Sequence, residues 1–231
     1  MLILHYAPDN ASLIIRIALE ELQLPYETRL VDRRVTAQKS TAYRALNPRG
    51  LIPVLETADG PIFETAAILL WSTDEAGARA PAPGAQGRGA FLSWLFALSN
   101  GPQTDLRGLT HPDQYAGDDP GARRAVAAAA QARIRETLAQ LETLAGAGHA
   151  WFAGDTPSAL DIYVCVLLRW FALYPPGGTD WFRLADSPRL AALAARIEAR
   201  PAVRRAAAAE GLGPQPFSAP APPDPPEGSA F

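Results

Sequence analysis

The sequence predicts two unlike parts: an α/β unit built on a mixed four-stranded sheet, then an all-helical unit. Three observations carry this. Residues 2–31 read strand, helix, strand; residues 54–76 read strand, turn, strand, helix; and beyond a Gly/Ala/Pro-rich stretch at 77–89 the apolar patterns are helical. The chain has 231 residues, 48% hydrophobic and 19% charged, enough to bury a substantial core and ordinary for a soluble globular protein.

Taken in order, "LILHY" (2–6) is a short buried strand and "APDN" a turn. In "ASLIIRIALEELQL", Leu13, Ile14, Ile17, Ala18 and Leu22 share one helical face, while Arg16, Glu20 and Glu21 take the other. Pro25 ends that helix, and "YETRLV" (26–31) alternates as a second strand, parallel to the first if the crossover is right-handed. Residues 32–46 are polar and irregular. "PVLETADGPIFE" reads as two strands around a tight Asp59-Gly60 turn, and "TAAILLWSTDEA" as a helix. The order βαβ then ββα describes a thioredoxin-like unit over 1–76, with 77–89 as a linker.

The second unit spans 90–212. "AFLSWLFALSN" is one helix, and the alanine-rich "GARRAVAAAAQARIRETLAQLETLAG" is a long one. "SALDIYVCVLLRWFALY" is apolar nearly all round, which marks the central buried helix, while "SPRLAALAARIEARPAV" is amphipathic. Residues 213–231 hold seven prolines and few large apolar groups, so this tail is expected to be disordered.

Composition removes several function classes. A net charge of −3 offers no electrostatic footprint for nucleic acid or an anionic membrane. The single cysteine, Cys165, lies in an apolar run; it excludes an internal disulfide and a zinc site of paired cysteines. Three dispersed histidines lack ligand spacing, so no metal is expected. The N-terminal apolar stretch is too short for a signal peptide or a membrane span, which makes the cytoplasm the default location.

The stretch "NPRGLIPVLE" (47–56) starts a strand with proline, which cannot donate to a ladder. A cis Pro53 would turn the Ile52 backbone outward to pair with an extended peptide; a rigid trans proline opening an edge strand is the alternative. Glu64-Thr65 opens a helix, where free N–H groups and the dipole attract an anion, or where the two residues simply cap it. Ser12, Tyr6 and Asn10 carry polar groups in the turn "YAPDNAS". Helix capping by Ser12 and interdomain packing by Tyr6 are the plainer readings of the same residues.

"NPRGLIPVLETADGPIFETAAILLW" resembles the signature of the glutathione S-transferase family, and "SALDIY" (158–163) resembles its helix-starting capping box. "LLRW" (167–170) and "RPAVRRAAAAEGL" (200–212) look like the C-terminal helices of bacterial, beta-class-like members. The resemblance runs in order from residue 1 to about 212. It implies that glutathione is the co-substrate: Glu64 and Thr65 hold its γ-glutamyl end, Ile52 beside Pro53 pairs with its cysteinyl backbone, and Lys39, with Gln38 close behind, reaches its glycyl carboxylate. Beta-class members place a cysteine just before a serine at the start of the first helix; here that position is Ala11, and the serine of serine-type classes falls near Asp9. The resemblance then implies that a donor in "YAPDNAS" stabilises the glutathione thiolate, with Ser12 first, Tyr6 second and the Asn10 amide third.

The resemblance points to a glutathione transferase whose activated thiol attacks an apolar electrophile, and whose family habit implies a homodimer. Two alternatives share the site: another glutathione-dependent reaction (peroxide reduction, isomerisation, dehalogenation, ether cleavage), or a scaffold that binds glutathione without turnover.

Overall fold

The computed structural model describes residues 1–230; residue 231 of the tail lies outside the described residues. The first unit runs β1 (Leu2–Tyr6), α1 (Ser12–Leu22), β2 (Tyr26–Leu30), two 3-10 turns (Arg33–Val35 and Ala37–Lys39), α2 (Thr41–Leu46), β3 (Val54–Thr57), β4 (Gly60–Phe63) and α3 (Thr65–Ala76). The sheet order is β2-β1-β3-β4. β1 pairs parallel with β2 and antiparallel with β3, and β3 pairs antiparallel with β4, which is the mixed sheet expected. Leu4 and Leu55 of the sheet, Leu13, Ile14 and Ile17 of α1, and Ile68 and Leu69 of α3 are buried in one core. A smaller cluster of Val31, Tyr43 and Val54 forms under α2.

The polar loop expected at 32–46 contains a helix. Ser40 starts α2 by accepting a hydrogen bond from the Tyr43 N–H at 3.2 Å. At six residues the helix is too short for an apolar periodicity to announce it.

The second unit runs α4 (Arg88–Asn100), α5 (Pro102–Thr110), α6 (Asp113–Ala116), α7 (Pro120–Ala145), α8 (Ala159–Leu173), α9 (Pro188–Glu198) and α10 (Pro201–Glu210). Every residue of α8 from 159 to 171 is buried, as its sequence requires. Cys165 lies among them, and burial pushes its thiol well above the usual range, which leaves it a small hydrophobe. The stretch around Asp105 and His111, where apolar patterning predicts no element, holds α5 and α6.

Two expectations are corrected. Arg16 and Glu21, on the face of α1 opposite its apolar one, are buried because the helical unit covers that face. Arg16 lies 2.8 Å from Glu210 of α10, and Glu21 takes Arg79 at 3.1 Å and Arg200 at 2.5 Å. The tail is packed rather than disordered. Phe217 is buried, and Glu198 accepts hydrogen bonds from the Phe217 and Ser218 N–H groups at 2.9 Å. Composition weighed the tail's own small apolar area; it could not weigh the polar anchors supplied by α8 and α9. Among the described residues no helix is long and apolar enough to cross a membrane.

Candidate functional site

Strand register assembles the site. His5 pairs with Val54, and Val54 with Phe63. Continued by one residue, this register sets Tyr6, Pro53 and Glu64 in a row across one end of the sheet. Tyr6 itself pairs with Leu30 on the other side. At about 4.8 Å per strand, Tyr6 and Glu64 are roughly 10 Å apart, the scale of a small peptide.

The loop before β3 is held firmly. The Leu51 carbonyl accepts from the Tyr43 hydroxyl at 2.9 Å and from Asn47 Nδ2 at 2.7 Å. Gly50 has φ +62, and a Cβ there would lie 2.8 Å from the Gln38 carbonyl oxygen, so only glycine fits. That close approach brings the 38–39 segment against the loop. Ile52–Pro53 is cis, as the signature implied, and Ile52 precedes the paired residues of β3.

Glu64 turns the chain from β4 into α3 with φ +74, a conformation that side chains seldom adopt. Its half-exposed carboxylate meets Arg49 Nη1 at 2.5 Å, a tie between the "NPRG" loop and the helix start. Thr65, the first residue of α3, is buried, and its hydroxyl accepts from Gln103 Nε2 of α5 at 3.4 Å. Gln103 Oε1 in turn accepts from the Tyr163 hydroxyl of α8. The helix start is thereby braced from the helical unit by a residue that no sequence motif marked.

The turn after β1 differs from expectation. Ser12 is fully buried, and its hydroxyl is used within the turn: it donates to the Ala7 carbonyl at 3.0 Å and accepts from the Ala7 N–H at 3.2 Å. Asp9, near which the serine of serine-type classes falls, points inward, where its carboxylate accepts from Arg169, Trp170 and Tyr174. Asn10 is half-buried, and its side-chain oxygen caps the Ala11 N–H at 2.8 Å. Tyr6 remains at the head of the row. Its hydroxyl donates to Glu227 of the tail; burial, then that carboxylate, raise its pKa far above the usual range, so it stays a proton donor.

Gln38 is half-buried and Lys39 exposed, both in the second 3-10 turn. His5 is buried, 2.7 Å from Glu56, and belongs to the sheet. Burial, then the Arg107 and Arg33 charges, hold the His111 imidazole below its usual range. Among the described residues no cluster of His, Cys, Asp or Glu could hold a metal ion.

A thioredoxin-like sheet, with the loop before β3 and the start of α3 at one end, joined to a helical bundle, is the class of fold that these elements define. Residues 11–75 match the description "Glutathione S-transferase, N-terminal domain" and residues 124–196 "Glutathione S-transferase, C-terminal domain". Glutathione S-transferase GST-4.5 of Xanthomonas campestris is 31% identical over 218 residues, covering 90% of this chain and 98% of that one. Glutathione S-transferase GstB of Escherichia coli K12 is 28% identical, covering 82% and 88% of the two chains. A sphingomonad glutathione S-transferase solved in complex with glutathione is 33% identical, with a TM-score of 0.73, covering 91% of this chain and 100% of that one. The chain belongs to the glutathione S-transferase family.

Proposed function

We propose that the row Tyr6–Pro53–Glu64 seats glutathione in extended form and presents its thiol to the β1–α1 turn. The register His5–Val54–Phe63, whose next residues are Tyr6, Pro53 and Glu64, is the observation that supports the reading. Glutathione supplies the sulfur nucleophile. Glu64 accepts from the ammonium of the γ-glutamyl end, and the Thr65 N–H and hydroxyl donate to its carboxylate. Ile52 pairs its backbone with the cysteinyl residue, and Gln38 with Lys39 faces the glycyl carboxylate. Tyr6 donates its hydroxyl proton toward the sulfur, favouring the thiolate that attacks an apolar electrophile; Asn10 is the second donor. Ser12 supports the turn that places them. The protein works in the cytoplasm as a homodimer, which light scattering on the purified chain would test.

Calorimetric titration with reduced glutathione checks the assignment. Glu64→Ala and Thr65→Val are expected to weaken binding by about tenfold or more each, since each removes a charge-assisted bond of about 1.5–3 kcal/mol. Unchanged affinity in both variants would remove the site from this end of the sheet.

A further inference from the structure

The packed tail returns to the Tyr6 end of the same row, and its role there presupposes that the row binds glutathione. Its first part is anchored away from the row. Glu198 accepts from the Ser218 hydroxyl at 2.7 Å, Arg169 donates to the carbonyls of Pro216 at 3.2 Å and Ala221 at 3.0 Å, and the Asp224 N–H donates to the Gly211 carbonyl at 2.8 Å. Beyond Asp224 the partners change. Glu227 takes the Tyr6 hydroxyl, and the Ala230 carbonyl accepts from Arg33. Gly228, at φ +73, slots against Leu30 and Pro8, where a Cβ would come within 2.7 Å of Leu30 Cδ1 and 3.3 Å of Pro8 Cδ. Leu30 is the register partner of Tyr6, so residues 225–230 lie along the Tyr6 end of the row.

We propose that residues 225–230 form an autoinhibitory strap that must lift from Tyr6 before the glutathione thiol is activated. A phenol has one O–H. While Tyr6 gives it to Glu227, Tyr6 has no proton to offer a sulfur. The carboxylate also places a negative charge where a thiolate would develop, which opposes ionisation. The strap is built to move separately from the rest of the tail. Its sequence, "PPEGSA", carries no large apolar side chain, whereas Phe217 upstream is sunk in the core. Among residues 225–230 only Ala230 is buried, and segments with few buried apolar groups open at low free-energy cost. The hinge falls at Asp224, the last backbone anchor before Pro225 and Pro226. Arg16, whose guanidinium lies 4.4 Å from the Tyr6 ring centroid, and Glu210 behind it are the other charges facing Tyr6, and neither depends on the strap.

Three proteins test this: the full chain, the same chain ended after Asp224, and the full-length Glu227→Gln variant. Reduced glutathione is the probe, with affinity read by calorimetry and thiolate formation by ultraviolet absorbance across pH. In the shortened form the bound thiol is expected to titrate about one pH unit lower, a tenfold larger thiolate fraction below its pKa. Glu227→Gln should move it the same way by less. Adding Tyr6→Phe to the shortened form should cancel the gain, which a purely structural tail would not do. If the shortened chain fails to fold, Glu227→Gln alone decides. Glutathione bound by all forms with one unchanged titration would overturn the strap and leave the site standing. Glutathione bound by none would overturn the reading of the site, and the strap's role with it.

Discussion

Asp9 ties the first turn to the helical unit. Its buried carboxylate accepts from Arg169 Nε and Nη2 at 2.9 Å each, from Trp170 Nε1 at 2.9 Å and from the Tyr174 hydroxyl at 2.5 Å. Both partners of the ion pair are fully enclosed, so each is tolerated only because the other is there. Asp9→Ala would leave the Arg169 charge uncompensated, and a loss of about 3–5 kcal/mol is expected in urea unfolding. A loss under about 1 kcal/mol would mean that water or another group replaces the carboxylate. Arg169 inside an apolar helix and Asp9 in a turn were each visible in the sequence. That they meet was not, because 160 residues separate them and no periodicity links one to the other.

At the scale of elements, α8 is where local sequence and global fold agree most closely. Ser158 accepts from the Asp161 N–H at 3.2 Å, and Asp161 accepts from the Ser158 N–H at 2.8 Å, which is the reciprocal box that the sequence implied. Asp161 also accepts from the Ala153 N–H at 2.8 Å, so it holds the preceding loop as well. Ser158→Ala is therefore expected to cost about 1 kcal/mol, the usual value of an N-cap. Asp161→Ala should cost more, roughly 2–5 kcal/mol, because two backbone N–H groups lose their acceptor. Thermal melts of the two variants check the order; equal losses would show that the Ala153 contact contributes nothing. The α2 and α5–α6 stretches were illegible in the sequence for the opposite reason. They are short, and their helicity is set by neighbours, with the Ser40 cap at α2, rather than by a long apolar stripe.

At the scale of the whole molecule, the two units are joined through α1, whose outward charges are buried against α10. Glu210 is fully enclosed, and burial pushes its pKa from 4.5 up to about 7, with Arg16 opposing the shift. A raised carboxylate pKa means that the folded chain holds its proton more tightly than the unfolded chain does. Stability linked to Glu210 is therefore highest below pH 4.5 and is lost as pH rises to about 7, by up to about 3 kcal/mol. Urea midpoints measured across that window for wild type and Glu210→Gln should converge at its lower end and separate in favour of the variant at its upper end. Parallel curves would show that Arg16 keeps Glu210 ionised throughout.

The sequence by itself determined the βαβ-ββα order, the helical second unit, the proline-entered strand at Pro53, the Glu64-Thr65 helix start and the capping box of α8. Each is written in residues close along the chain, where proline, glycine, caps and periodicity act locally. The tertiary structure alone decided that Ser12 turns inward, that Asp9 pairs with Arg169, that α1 is covered on both faces, and that the tail returns to Tyr6. These outcomes depend on groups far apart in the chain finding partners once water is excluded, and the energy of a buried charge or a spent hydroxyl is set by whatever the fold brings beside it.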